Sequence, residues 1–172
     1  KEYRRPYHVY WDVLSESEWE TRCAESRAES ARQKALTART VDRVVIGDQA
    51  SERAHRLQGE KHSSGLFGGR HWRHAPDGWF SYELEVPPDG NAELLVTYWG
   101  SDVGARVFDV LIDGTPIATQ KLDRNQPNRF FDQLYPIPPQ LTKGKQKVTV
   151  RFQAHPGNIA GGVFDLRMLR AQ

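Results

Sequence analysis

The sequence has a single cysteine, Cys23, among 172 residues, which excludes an internal disulfide and any multi-cysteine zinc site. Long apolar runs are missing as well. None approaches the roughly 20 residues that a membrane-spanning helix needs, so no membrane partner is expected. An excess of one charge is also absent: the 24 Lys and Arg nearly cancel the 22 Asp and Glu and are interspersed with them. That leaves no electrostatic footprint for nucleic acid. There is no Gly-x-Ser-x-Gly, phosphate loop, dinucleotide fingerprint or internal repeat. The chain opens at Lys1 with neither an initiator Met nor a charged-then-apolar leader, and is expected to be a processed product or a piece of something longer.

What the sequence does have is alternation. In Phe80-Ser81-Tyr82-Glu83-Leu84-Glu85-Val86, large apolar side chains occupy every second position. A strand turns successive side chains to opposite faces, so Phe80, Tyr82, Leu84 and Val86 are expected in a core, with Ser81, Glu83 and Glu85 in water. Similar strands are expected at His71–His74, Trp79–Val86, Glu93–Trp99, Arg106–Ile112, Thr115–Leu122, Phe130–Ile137, Lys147–Ala154 and Gly162–Leu169. Asp113-Gly114 is a two-residue hairpin signal, since both residues tolerate positive φ. Short strands with frequent turns and no interleaved helices predict a mostly β fold: an antiparallel β-sandwich of the jelly-roll kind.

The first part of the chain reads differently. Tyr7–Val13 is expected to be a short strand with aromatics on both faces, and Ser15-Glu16-Ser17-Glu18 fits a capping box. From Glu16 to about Val41 there is no Gly or Pro, which predicts one long helix whose thin apolar stripe (Trp19, Cys23, Ala31, Ala35, Leu36) buries little. A strand follows at Val44–Ile46, then a polar, Gly-rich stretch from Gly47 to Gly69 reads as a long loop anchored by Leu57, Leu66 and Phe67. The expected organisation is an N-terminal strand over 1–14, a linker helix over 15–42 and the sandwich over 43–172.

Trp72, Trp79, Trp99, Phe130, Phe131 and Tyr135 form an aromatic stock from which a sugar platform can be built, because a sugar's C–H face packs on a ring while polar neighbours bond its hydroxyls. The alternative is that each fills the core. Asp102 and Arg106, four apart after Trp99, either close a polar pocket over that ring or form a loop salt bridge. His71 and His74 lie three apart, on opposite faces of a strand, which argues against joint zinc ligation. Glu83 and Glu85 share a strand face without any visible acid pocket for glycoside hydrolysis, and no catalytic residue is assigned.

The segments Val45-Ile46-Gly47-Asp48-Gln49-Ala50-Ser51-Glu52-Arg53, His55-Arg56-Leu57-Gln58-Gly59-Glu60, Trp72-Arg73-His74-Ala75, Gly78-Trp79-Phe80-Ser81-Tyr82, Tyr98-Trp99-Gly100-Ser101-Asp102 and Val150–Asn158 together resemble the C-terminal domain of bacterial β-L-arabinofuranosidase-family glycoside hydrolases. The resemblance implies a galactose-binding-like, non-catalytic, carbohydrate-binding-like tail of a larger periplasmic or extracellular enzyme. Its partners would be an arabinose-containing glycan and the upstream catalytic domain of the same protein. By analogy with small jelly-roll sugar-binding modules, the ligand cleft falls on His71, Trp72, Arg73 and His74, then Phe130, then His155 and Asn158; Trp99 and Asp102 are counted with them as carbohydrate-binding candidates. The bland alternative pairs Arg73 and His155 with acidic residues. No cofactor is implied beyond a structural calcium ion, for which Asp48, Glu52 and Asp165 are the candidates. A purely structural module without ligand is the rival function, and an independent hydrolase the third.

Overall fold

The computed structural model describes residues 13–172. The strand expected at Tyr7–Val13 lies outside the described residues except for Val13, which belongs to no regular element. The described residues up to Ala38 belong to one unit and Arg39–Gln172 form a second.

The first unit is built on helix α1, Glu16–Arg39. Its start is fixed by the capping box: the Glu18 amide donates to Ser15 Oγ at 3.3 Å, and Glu18 Oε2 accepts from the Ser15 amide at 2.8 Å and from its hydroxyl at 2.7 Å. The helix has no buried residue. It ends where Thr40 and Val41, both β-branched, open strand β1 (Thr40–Val44), so this strand begins earlier than the expected Val44.

The second unit is an antiparallel β-sandwich. After helix α2 (Gln49–Ala54) come β2 (Gln58–Glu60), β3 (Ser63–Phe67), β4 (Arg70–Pro76), β5 (Trp79–Glu85), β6 (Ala92–Trp99), β7 (Val107–Ile112), β8 (Thr115–Lys121), β9 (Phe130–Pro136), β10 (Lys147–Ala154) and β11 (Ile159–Arg170). One sheet has the order β3-β4-β11-β6-β9, with β1 also paired to β11; the other has the order β2-β5-β10-β7-β8. The long β11 carries β6 along one edge and β4, then β1, along the other.

Period two sets the core. Phe80, Tyr82 and Leu84 stand opposite Phe152, Val150 and Val148, and all six are buried. Leu94, Val96, Tyr98, Leu166 and Met168 meet them from the other sheet. The Phe80 and Phe152 rings stack at 5.0 Å. Each such side chain contributes about 1.5–3 kcal/mol by burial. Asp113 and Gly114 take φ of 47° and 82° in the β7–β8 hairpin, as that dipeptide predicts.

Two expectations are corrected here. The stretch 47–69 is not one loop but contains α2, β2 and β3. Asp48 caps α2 by accepting from the Ser51 amide at 2.7 Å, while β2 and β3 are polar edge strands shaped by pairing with β5 and β4 rather than by a pattern of their own. Ser81 does not meet water: it is 4% exposed, a small side chain in register between Gln58 on β2 and Arg151 on β10.

Candidate functional site

Strand β4 alternates Trp72 and His74 on its outer face with Arg73 and Ala75 on its inner one. Trp72 lies over Gly65 of β3, its register partner; a Cβ there would come within 2.5 Å of the indole. The Trp72 and His74 rings lie 4.5 Å apart. Beside them Phe67 meets Trp99 edge to face at 5.1 Å, Trp99 meets Phe130 at 4.9 Å, and Phe130 meets Phe164 at 4.8 Å. The Arg70 guanidinium lies 4.4 Å from the Phe130 ring centre.

The loop after β6 completes the site. Gly100 packs so tightly that a Cβ would overlap the Gln126 carbonyl. The Asp102 amide donates to the Trp99 carbonyl, the Arg124 amide donates to the Asp102 carbonyl at 2.8 Å, and the Asn128 amide donates to Ser101 Oγ at 2.7 Å. These bonds fix the loop backbone with the Asp102 and Arg106 side chains beside Trp99. A cavity of about 380 Å³ results, walled by Phe67, Trp72, Trp99, Phe164 and Val103 and supplied with polar groups by His74, Ser101, Asp102 and Arg106. Its floor includes Gly162.

Electrostatically the cavity holds one carboxylate and one guanidinium. Arg106 Nη1 donates to the Gly161 carbonyl at 2.7 Å, and Nη2 lies 3.9 Å from Asp102 Oδ1. Both side chains are under 20% exposed (18% and 19%). Burial pushes the Asp102 carboxyl above its ordinary range, and Arg106 only partly offsets this. Burial, with Arg106 nearby, pushes the His74 imidazole down, so it is neutral at pH 7.

The structure thus brings Trp72, His74, Trp99 and Asp102 together around one cavity, with Phe130 behind Trp99 in the same aromatic group. The pocket and salt-bridge readings of Asp102 and Arg106 both describe what is there. His71 lies on the opposite face from Trp72, its ring against Gly47.

Three residues do not join them. Arg73 faces inward, where Nη2 donates to Glu52 Oε2 at 2.8 Å, Nε to Glu52 Oε1 at 3.0 Å and Nη1 to His62 Nδ1 at 2.7 Å. His155 pairs with Asp109 of the other sheet at 2.9 Å. Asn158 is a turn residue, its Oδ1 accepting from the Val107 amide at 3.1 Å and its Nδ2 donating to the Pro156 carbonyl at 3.0 Å. The acidic-partner alternative therefore describes Arg73 and His155.

The calcium candidates do not fit a shared ion. Asp48 caps α2, Glu52 is engaged by Arg73 and Tyr82, and Asp165 accepts from Arg43 Nε at 2.8 Å and Arg167 Nε at 2.7 Å. Guanidinium groups already neutralise two of the three, and among the described residues no cluster of three or more His, Cys, Asp or Glu can hold a metal. Burial raises the Glu52 carboxyl, but its bonds to Arg73 and Tyr82 outweigh this and hold it below the ordinary range.

Sequence reasoning missed Phe67 and Phe164. The apolar pair Leu66-Phe67 in a polar stretch was the available signal for the first; the second is hidden by a register shift in β11 between Val163 and Asp165.

A family of unknown function, DUF6805, matches residues 35–169. The chain belongs to this family. No curated protein matches the sequence. The DUF6805 sandwich is similar to a family 35 carbohydrate-binding module from Clostridium thermocellum, with a TM-score of 0.54 at 10% identity, covering 67% of this chain and 92% of the module. It is also similar to part of an exo-β-1,3-galactanase from Phanerochaete chrysosporium determined with galactose, with a TM-score of 0.51 at 11% identity, covering 68% of this chain and 28% of the galactanase. At such identities the DUF6805 chain shares with them a fold. Among its described residues no helix is long and apolar enough to cross a membrane.

Proposed function

We propose that this DUF6805 domain is a non-catalytic carbohydrate-binding module, the accessory part of a periplasmic or extracellular glycoside hydrolase of the β-L-arabinofuranosidase type. The observation that carries the reading is the cavity, where Trp72 and Trp99 adjoin Asp102, Arg106 and His74. Apolar ring surface beside a few fixed polar groups is the arrangement that sugar recognition needs. The volume of about 380 Å³ is at the small end of ligand clefts and suits roughly one or two sugar rings rather than a long segment of chain. The shared fold with a carbohydrate-binding module supports the class. The sequence resemblance supports the enzyme context and an arabinose-containing glycan.

Such a module acts by retention. A weak contact raises the local concentration of substrate around a tethered catalytic unit without any chemistry of its own. Calorimetric titration of the 172-residue chain with arabinose-containing glycans should give binding heat, abolished in Trp72→Ala. A flat response to every glycan overturns the reading.

One observation favours the rival reading of a purely structural module. Trp19 on α1 is 61% exposed on a helix with no buried residue, as expected of a side chain that docks on an upstream catalytic domain. The same titration separates the two, because a purely structural module gives no heat.

A further inference from the structure

Asp102 occupies an unusual position within the cavity. Its side chain is only 19% exposed, beside the Trp99 ring, yet no hydrogen-bond donor among the described residues reaches its carboxylate. Among the described residues the cation paired with it, Arg106, stands off at 3.9 Å, and has committed Nη1 to the Gly161 carbonyl. Elsewhere in this protein mostly buried carboxylates are well supplied. Glu52 accepts from Arg73 and Tyr82, Asp165 from Arg43 and Arg167, and Asp42 from the Arg43 and Glu85 amides. With no protein donor, the Asp102 oxygens are left to water at the mouth of the cavity, and a ligand that brings hydroxyl donors can take the water's place.

From this geometry we infer, building on the carbohydrate-binding reading above, that Asp102 is the specificity-determining residue and that the site takes a neutral sugar presenting two adjacent hydroxyls, and rejects uronates. A vicinal hydroxyl pair donates to both carboxylate oxygens, each a charge-assisted bond, while the sugar's C–H face lies against the indoles. An acidic sugar brings a second carboxylate into a cavity whose one guanidinium is already balanced by the first. With His74 neutral, no other described residue lining the cavity carries a positive charge to offset the addition, and like charges in a desolvated site repel. Burial also raises the Asp102 carboxyl above its ordinary range, with only the Arg106 charge to offset it.

The test compares matched pairs on the 172-residue chain: galactose against galacturonate, glucose against glucuronate, and L-arabinose alone, by calorimetry or by tryptophan fluorescence at neutral pH. A neutral member should bind and its uronate, which keeps the hydroxyl pair but adds a like charge, should bind at least about tenfold more weakly. Asp102→Asn should weaken the neutral sugar by at least about tenfold and narrow the gap to the uronate. A uronate that binds as tightly as its neutral partner, or an Asp102→Asn protein that binds normally, overturns the inference while leaving the module a sugar binder. If no sugar of any charge binds, the inference falls together with the reading it rests on. The comparison within the unmodified chain needs no variant, and near-ultraviolet circular dichroism checks the fold of Asp102→Asn.

Discussion

Arg73 and Glu52 meet in a two-point ion pair at 2.8 and 3.0 Å, with side chains 6% and 8% exposed, although Arg73 stands between two residues that face the open cavity. Tyr82 donates to Glu52 Oε1 at 2.8 Å and accepts from Arg73 Nε at 3.0 Å, so the pair is bonded from the opposite sheet as well. Breaking one side leaves the other charge buried. Arg73→Met or Glu52→Ala should each lower stability by about 3–5 kcal/mol in urea denaturation. The double variant should lose clearly less than the sum. Additive losses would show that the two groups act independently.

His62 extends this network and makes it sensitive to pH. Its Nδ1 accepts from Arg73 Nη1, which requires a neutral ring, and burial together with the Arg73 charge holds its pKa below the ordinary histidine value. The unfolded chain therefore binds this proton more readily than the folded one. The stabilisation is fully present above the unfolded value of about 6.5 and is lost as pH falls through the depressed folded value. Urea midpoints should drop between about pH 7.5 and about pH 5.5, and His62→Asn should flatten part of that slope. His74, depressed in the same direction, adds to the slope. A slope unchanged in the variant would remove His62 from the account.

Gly65 matters because of its neighbour on β4. A Cβ at this position would sit 2.5 Å from the Trp72 indole, so Gly65→Ala must displace that ring. The cost of such overpacking is about 1–3 kcal/mol. The near-ultraviolet dichroism should change, and glycan affinity should fall with it. An unchanged spectrum would mean that Trp72 does not rest on β3.

Tyr98, fully buried, reaches Tyr135 hydroxyl to hydroxyl at 3.0 Å, and Tyr135 donates onward to Gln120 Oε1 at 2.6 Å. Burial pushes both phenols well above their ordinary range. Tyr135→Phe strands the Tyr98 hydroxyl and should cost about 1–3 kcal/mol in thermal or urea unfolding. Tyr98→Phe, which leaves Tyr135 its bond to Gln120, should cost less. Equal losses would contradict this order of donation.

Much of the sandwich was legible because one face of each long strand is committed to the core. Phe80-Ser81-Tyr82 and Val148-Thr149-Val150 show that commitment at period two, and β5 and β10 lie where the alternation puts them. Strands β2 and β3 were not legible, since Gln58-Gly59-Glu60 and Ser63-Ser64-Gly65 carry no such pattern and depend on a neighbour to template them. In the site, Trp72, His74, Trp99 and Asp102 were visible as residue types. Period two within β4 already separated Arg73 from Trp72, but analogy with end-loop clefts treated the run as one group. Phe164 depended on an irregularity in pairing that no local pattern announces.

The pairing of β1 with β11 has a consequence for how such a sandwich sits in a longer polypeptide. Thr40 stands opposite Leu169, so the backbone enters and leaves this unit side by side. A module with adjacent entry and exit points can be spliced between two others without rerouting either. Tension applied across those points would unzip the β1–β11 ladder rung by rung rather than shear it at once.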